Sequence, residues 1–371
     1  MDFSFTEEQQ DVSDLATRIL EGKVTEDLLR SIEAGTDRFD PGVWEELGRA
    51  GLLGIGLPED VGGGGYGILE QCLVLEQVGR TLAPAPVWAA SVLGAAPVAA
   101  FGTPEQKARF AAPAADGGTV VTAALVEPLN PAGATPVTAA ARDGAGWRLD
   151  GEKTCVPAVL HASAVLVPAS GPEGTSVFVV DLDTPGLTVE PQRTTNGDTE
   201  GYLLLEGVAV GDDRRLPGDG ADILEWTVER ATVGLCALQL GITEEALRRT
   251  AAYAGERVQF ERPIATFQAV GHRCADAYID VEGIRMTLWQ AAWRVAAGLP
   301  AAMEVEVAKL WAAEGGHRVA HTAVHIHGGM GIAMEYPLHR YFVAAKQVEF
   351  TLGGATEQRL RIGARLAAEA V

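Results

Sequence analysis

Residues His325–Gly331 read HIHGGMG, inside the run TAVHIHGGMGIAMEYPLHRYF at positions 322–342. Two histidines two positions apart, then three glycines in four, admit three readings: a metal site, a phosphate cradle, or a helix that breaks. His317, His321 and His325 recur every four residues, so one helical face would carry all three, and imidazole is a common zinc ligand. No glutamate stands inside the first pair as in H-E-x-x-H, and no carboxylate completes a ligand set, so the pattern assigns no metal here. Glycines at 328 and 329 let a backbone approach a phosphate closely and offer N–H donors, because no side chain intrudes. A helix C-cap at Gly328–Gly331 is compatible with that role.

Upstream of this stretch, Val270, Cys274, Ala277, Val281, Ile284, Leu288, Ala291 and Val295 step by alternating four and three, the stripe of a helix packed in a bundle. Farther back the pattern changes twice. From about Thr119 to Val210 come short β-type runs, TVVTAAL, GWRLDGEK, SAVLVPA, TSVFVVD, GLTVEP and EGYLLLEGVAV, punctuated by turn residues as in a barrel or sandwich. Before Asp116 the signals are helical. Thr6 with Gln9 forms a capping box, and Asp40-Pro41 and Thr103-Pro104 each place a cap residue before proline. The sequence is therefore mainly α with a central β domain: an N-terminal helical domain (1–117), a middle β-barrel (118–217) and a C-terminal four-helix bundle (218–371).

Composition narrows the function. The 371 residues suffice for two or three domains with a substantial core. A formal net charge of −21 argues against nucleic acid and against anionic lipid. An anionic ligand would need basic residues placed locally in its pocket. Cys72, Cys155, Cys236 and Cys274 show no C-x-x-C pair, which fits a reduced cytoplasmic setting. Thr81–Pro104 carries no charge, but Pro84, Pro86 and Pro97 suit a buried, broken helix better than a membrane span.

Four stretches in order carry a resemblance. PEDVGGGGYG (58–67) resembles a Pro-Glu and glycine run, and ALVEPLNPAG (124–133) resembles A-L-T-E-P-x-A-G-S-D. GERVQFERPIATFQAVGHRCAD (255–276) resembles R-x-x-F-G-x-P-I-x-x-F-Q-x-x-x-H-x-x-A-D. The opening stretch resembles Q-I-H-G-G-x-G-x-x-x-E-Y-P-x-x-R-x-x. Together they are similar to the acyl-CoA dehydrogenase family over nearly the whole chain, and to the less complete subunit of its heteromeric actinobacterial-type members.

The resemblance implies FAD as cofactor, an acyl-CoA substrate, an electron-accepting flavoprotein, and a partner that is a paralogous subunit or a further copy in a tetramer. It implies that Arg257 pairs with the FAD pyrophosphate, bidentate as guanidinium allows. Phe260, Phe267, Gln268, His325, Ile326, Gly328 and Gly329 then contact the adenylate arm, commonly of a neighbouring subunit's flavin. It implies removal of an α-proton by a carboxylate and departure of the β-hydrogen as hydride to flavin, giving a trans-2-enoyl-CoA.

The departures from the family pattern are as informative. GEKTCVPA (151–158) replaces G-x-K-x-W-I-T-N, so Cys155 stands for the ring-contacting Trp and Pro157 for the Thr that donates toward flavin N5. Proline offers neither N–H nor hydroxyl. Val126 replaces a Thr, and His325 replaces a Gln. The usual base position falls on Leu352 in TLGGATEQRL. WTVERATVG (226–234) matches a Glu-Arg pair that serves as an alternative base in some members, which makes Glu229, followed by Arg230, the candidate base. The plain alternative is a first-turn glutamate favoured by the helix dipole. Three functions follow: a subunit that completes a partner's FAD site, a self-sufficient homotetramer using Glu229, or a non-catalytic CoA-thioester binding or scaffold protein.

Overall fold

A computed structural model describes residues 4–369. Helix α1 (Glu7–Lys23) starts at the expected box: Gln9 N–H donates to Thr6 Oγ1 at 3.2 Å, and Thr6 N–H donates to Gln9 Oε1 at 3.0 Å. Helices α2 (Glu26–Glu33), α3 (Pro41–Arg49) and α4 (Ile68–Thr81) follow. Asp40 caps α3 by accepting from Val43 N–H at 2.7 Å, with Pro41 at the first position. The uncharged stretch is a broken helix as expected, but its first part, Trp88–Ala95, winds as a π-helix before α5 (Ala96–Phe101). No helix among the described residues is long and apolar enough to cross a membrane. Gly94 permits the π-segment to lie on the β domain, since a Cβ there would fall 1.8 Å from Val121 O. The short helices α6 (Pro104–Gln106) and α7 (Ala112–Ala115) complete the helical segment.

Seven strands form one sheet: β1 (Val121–Ala123), β2 (Ala139–Asp143), β3 (Gly146–Pro157), β4 (Ala164–Gly171), β5 (Gly174–Asp181), β6 (Leu187–Arg193) and β7 (Thr199–Gly211), in the order β1-β4-β2-β3-β7-β6, with β5 paired to β4. β2 was not foreseen, because its AAARD sequence lacks the β-branched and aromatic residues that mark strands. Register shifts between Leu149/Gly151 and Lys153/Val156 bend the long β3–β7 pair. Trp147 and Phe178 meet edge-on at 5.5 Å in the buried core beneath.

Helix α8 (Gly220–Glu256), the hairpin β8 (Val258–Gln259) and β9 (Arg262–Pro263), and helices α9 (Gln268–Ala296), α10 (Ala302–His327), α11 (Leu338–Phe350) and α12 (Ala355–Glu369) make up the C-terminal part. In α9 the predicted stripe is buried from Ala277 through Val295, while Val270 and Cys274 are half-buried. Two compact units emerge. One comprises residues up to Leu29, Cys72–Ala83 and Thr232 onward; the other comprises Arg30–Gln71 and Pro84–Ala231.

Candidate flavin-arm and ring segments

The first candidate segment lies where α8 gives way to α9. Arg257 follows the last residue of α8, and its exposed guanidinium makes no ion pair among the described residues. The chain then turns through a hairpin in which Val258 faces Pro263 and Gln259 faces Arg262. Its two-residue tip, Phe260 and Glu261, has φ of 52° and 66°, the left-handed pair that a tight hairpin demands and that Gly or Asn usually supplies. The family pattern has Gly at 261, so Glu261 carries strain there. Phe260 is 86% exposed. It meets Phe267 edge-on at 6.1 Å, and Arg262 lies over the Phe267 ring at 4.3 Å from its centroid. Gln268 is exposed as the first residue of α9.

The second segment is the opening motif. α10 runs through His327 and ends at Gly328, whose φ of 60° and ψ of −140° are open only to glycine. A Cβ at Gly328 or at Gly329 would meet nothing within 4 Å, so both backbones border open space. His325 is exposed and Ile326 is buried. The second histidine, His327, is structural. Its Nδ1–H donates to Ala323 O at 2.8 Å, which leaves Nε2 to accept from Tyr336 OH at 3.2 Å. Tyr253 stacks on the ring at 4.1 Å, and burial holds the imidazole below its usual pKa. The helical period that lines up His317, His321 and His325 carried no hint of this cage.

The other two histidines pack together. The rings of His317 and His321 lie tilted against each other with centroids 4.2 Å apart, and Lys346 Nζ donates to His317 Nδ1 at 2.9 Å. An ammonium on that lone pair opposes a metal ion, and no group of three or more His, Cys, Asp or Glu among the described residues could hold one.

The segment that departs from the family pattern lies at the second bulge of β3. Lys153 is 1% exposed, and its Nζ donates to Glu127 Oε1 at 2.8 Å and to Pro168 O at 2.7 Å. Glu127 also accepts from Thr138 N–H and Oγ1, from Val137 N–H and from Asn130 Nδ2. Every strong group of this buried pair is engaged, and the loop after β1 is pinned to the sheet. Two residues on, Cys155 takes φ of 52° and Ala158 takes 55°. Cys155 N–H donates to Gln192 Oε1 at 2.9 Å, and Gln192 Nε2 donates to Thr154 Oγ1 at 3.1 Å. Pro157 donates nothing, and its carbonyl accepts from Thr122 Oγ1 at 2.7 Å. The amides of Thr154 and Cys155 are thus spent within the chain.

Glu229 and Arg230 lie in α8. Arg230 stacks on Trp226 with its Cζ 3.8 Å from the ring centroid, and its Nη1 stands 3.4 Å from Glu229 Oε2. Trp226 is braced edge-on by Phe101 at 5.2 Å. Leu352 is 7% exposed and left-handed at φ 58°. Its carbonyl accepts from the buried Gln358 amide at 3.3 Å, so the turn is held fast around an aliphatic side chain.

FAD fits these residues unevenly. The arm segments offer an unpaired guanidinium, aromatic faces and two open glycine backbones, the donor set a diphosphate and adenine require. The segment at 154–158 fits a flavin ring poorly, because the Thr154 and Cys155 amides are taken by Val126 O and Gln192 Oε1, and Pro157 has neither N–H nor hydroxyl to offer. The chain matches "Acyl-CoA dehydrogenase, N-terminal domain" over residues 6–118 and "Acyl-CoA dehydrogenase, C-terminal domain" over residues 218–367. It is 44% identical to acyl-CoA dehydrogenase FadE27 of Mycobacterium tuberculosis, over 99% of each chain. Among solved structures it resembles a chain of the ChsE4-ChsE5 complex from the same organism, with 45% identity, 99% of each chain covered and a TM-score of 0.94. It also resembles the Tcur3481-Tcur3483 steroid ACAD, with 42% identity, 98% of this chain and 99% of that one covered, and a TM-score of 0.92. The helical N-terminal segment, central sheet and C-terminal helices are those of the acyl-CoA dehydrogenases, FAD-dependent flavoprotein oxidoreductases, and the chain belongs to that family.

Proposed function

We propose that this chain serves the α,β-dehydrogenation of an acyl-CoA thioester to a trans-2-enoyl-CoA as one subunit of a heteromeric enzyme. Its arm segments, Arg257 through Gln268 and His325 through Gly329, complete the FAD site of a partner subunit that holds the flavin ring. One contrast carries this reading: the ring segment spends its Cys155 amide on Gln192 and has proline at 157, while Arg257 and the glycine backbones of 328 and 329 stand open. Leu352 at the usual base position adds support, since an aliphatic side chain accepts no proton. The relative named for a ChsE4-ChsE5 complex supports a paralogous partner, and the one named a steroid ACAD supports a bulky acyl group. An electron-accepting flavoprotein would reoxidise the flavin. The absence of disulfides at the four cysteines favours a reducing cytoplasmic setting. The three-part division at 117/118 and 217/218 belongs to the same proposal.

A second reading rests on Glu229, whose carboxylate lies 3.4 Å from the Arg230 guanidinium. In that reading the chain is a self-sufficient homotetramer with proline at the usual ring-donor position. Expressing the chain alone, and with the acyl-CoA dehydrogenase-like product of an adjacent gene, separates the two. The first reading expects flavin bleached by acyl-CoA only in the co-expressed preparation. A yellow protein made alone and bleached by acyl-CoA overturns it. Loss of that bleaching in Glu229→Gln would then establish the second reading.

A further inference from the structure

The geometry points to Arg262 as a second cationic ligand of the flavin diphosphate, acting beside Arg257; the inference rests on the arm reading above. In the hairpin, Gln259 faces Arg262, and at its base Ile264 N–H donates to Arg257 O at 2.8 Å while Arg257 N–H closes α8 on Tyr253 O. Residues directly opposite share a face, and residues two apart on one strand share it too. Gln259 and Arg262 therefore share a face, and Arg257, joined to Ile264 at the base of the same short hairpin, brings a second long cationic side chain to it.

Phe267 fixes the second arginine. The Arg262 guanidinium lies 4.3 Å from that ring's centroid, and the ring is braced from another side by Phe260. Stacking leaves the in-plane N–H groups of a guanidinium at liberty to donate. Neither arginine is ion-paired among the described residues, although Glu256 and Glu261 are chain neighbours. A dinucleotide diphosphate carries two negative charges and Arg257 supplies one positive charge. In a chain of net charge −21, a second cation on the same hairpin answers that deficit.

Calorimetric titration of ADP, the half of FAD that such an arm would take, into the full chain tests this, with adenosine as the phosphate-free control. Arg262→Gln should weaken ADP about tenfold or more, the loss of one charge-assisted contact. It should leave adenosine unchanged, and Arg262→Lys should recover part of the loss. If Arg257→Gln weakens ADP while Arg262→Gln matches wild type, the inference falls and the arm reading stands. If Arg262→Gln weakens adenosine equally, or Arg262→Lys recovers nothing, Arg262 only shapes the hairpin and the inference is overturned. Absence of ADP binding by the wild-type chain overturns both together.

Discussion

Glu127 Oε1 and Lys153 Nζ stand 2.8 Å apart inside the β unit, joining a loop and a strand 26 positions apart in sequence. Burial alone would push the Glu127 carboxyl up, but the bonds from Lys153, Thr138, Val137 and Asn130 outweigh it and hold the pKa at about 2. Lys153→Met leaves a buried carboxylate without its cation, and Glu127→Gln leaves a buried ammonium without its anion. Each is expected to cost about 3–5 kcal/mol. The double variant should lose less than the sum, because the pair acts as a unit. Urea denaturation of the four proteins measures this. The depressed pKa places the pair's contribution above the ordinary carboxylate range, and it should be lost as pH falls toward 2.

Glu76 behaves oppositely. Burial raises its pKa from 4.5 to about 7, opposed by Arg285, whose Nη1 lies 3.8 Å away and which also binds Glu244 and Glu282. A raised folded-state pKa contributes stability below the unfolded value, and that contribution fades as pH climbs through 7. Glu76→Gln should remove this alkaline loss. At pH 8 it is expected to exceed wild type by up to about 3 kcal/mol, and at pH 5 to differ little, as thermal melts across that range would show.

His327 is neutral in its cage, and its folded-state pKa lies below the ordinary 6.5 because burial disfavours the cation. Its contribution is therefore present above 6.5 and declines as pH falls below it. Protonation would place an N–H toward the Tyr336 hydroxyl, which now donates to Nε2. Amide exchange over residues 324–333 should accelerate between pH 7 and pH 5.5 in wild type, and His327→Phe should flatten that dependence.

Glu261 holds a left-handed φ of 66° at the hairpin tip. Glu261→Gly removes the Cβ that this conformation penalises and should stabilise the folded protein by about 1 kcal/mol. A higher melting temperature with the arm geometry intact is the expected outcome.

Much of the architecture was legible because local chemistry and tertiary need agree. Thr6 caps α1 with Gln9 and Thr103 caps the helix that Pro104 opens, as the sequence proposes, and the α9 stripe from Ala277 to Val295 faces inward. What stayed hidden depends on distant partners. The strand Ala139–Asp143 exists because Arg142 and its neighbours pair with β3, not because alanine prefers it. The π-winding of Trp88–Ala95 goes with the close approach of Gly94 to Val121, which no local pattern encodes. At the site, the substitutions at 155, 157 and 352 were visible as departures. That Gln192 consumes the Cys155 amide, and that His327 is caged by two tyrosines, required the folded chain. The pairing of Glu127 with Lys153 had a signal that went unread, since each lies in one of two recognisable segments, ALVEP and GEKTC.

Flavin stoichiometry tests the central claim most directly. Purified with its paralogous partner, the assembly should carry one FAD for each pair of chains, and Arg257→Gln in this chain should lower that occupancy although the flavin ring lies on the partner. One FAD per chain on this protein purified alone, retained in Arg257→Gln, would contradict the account.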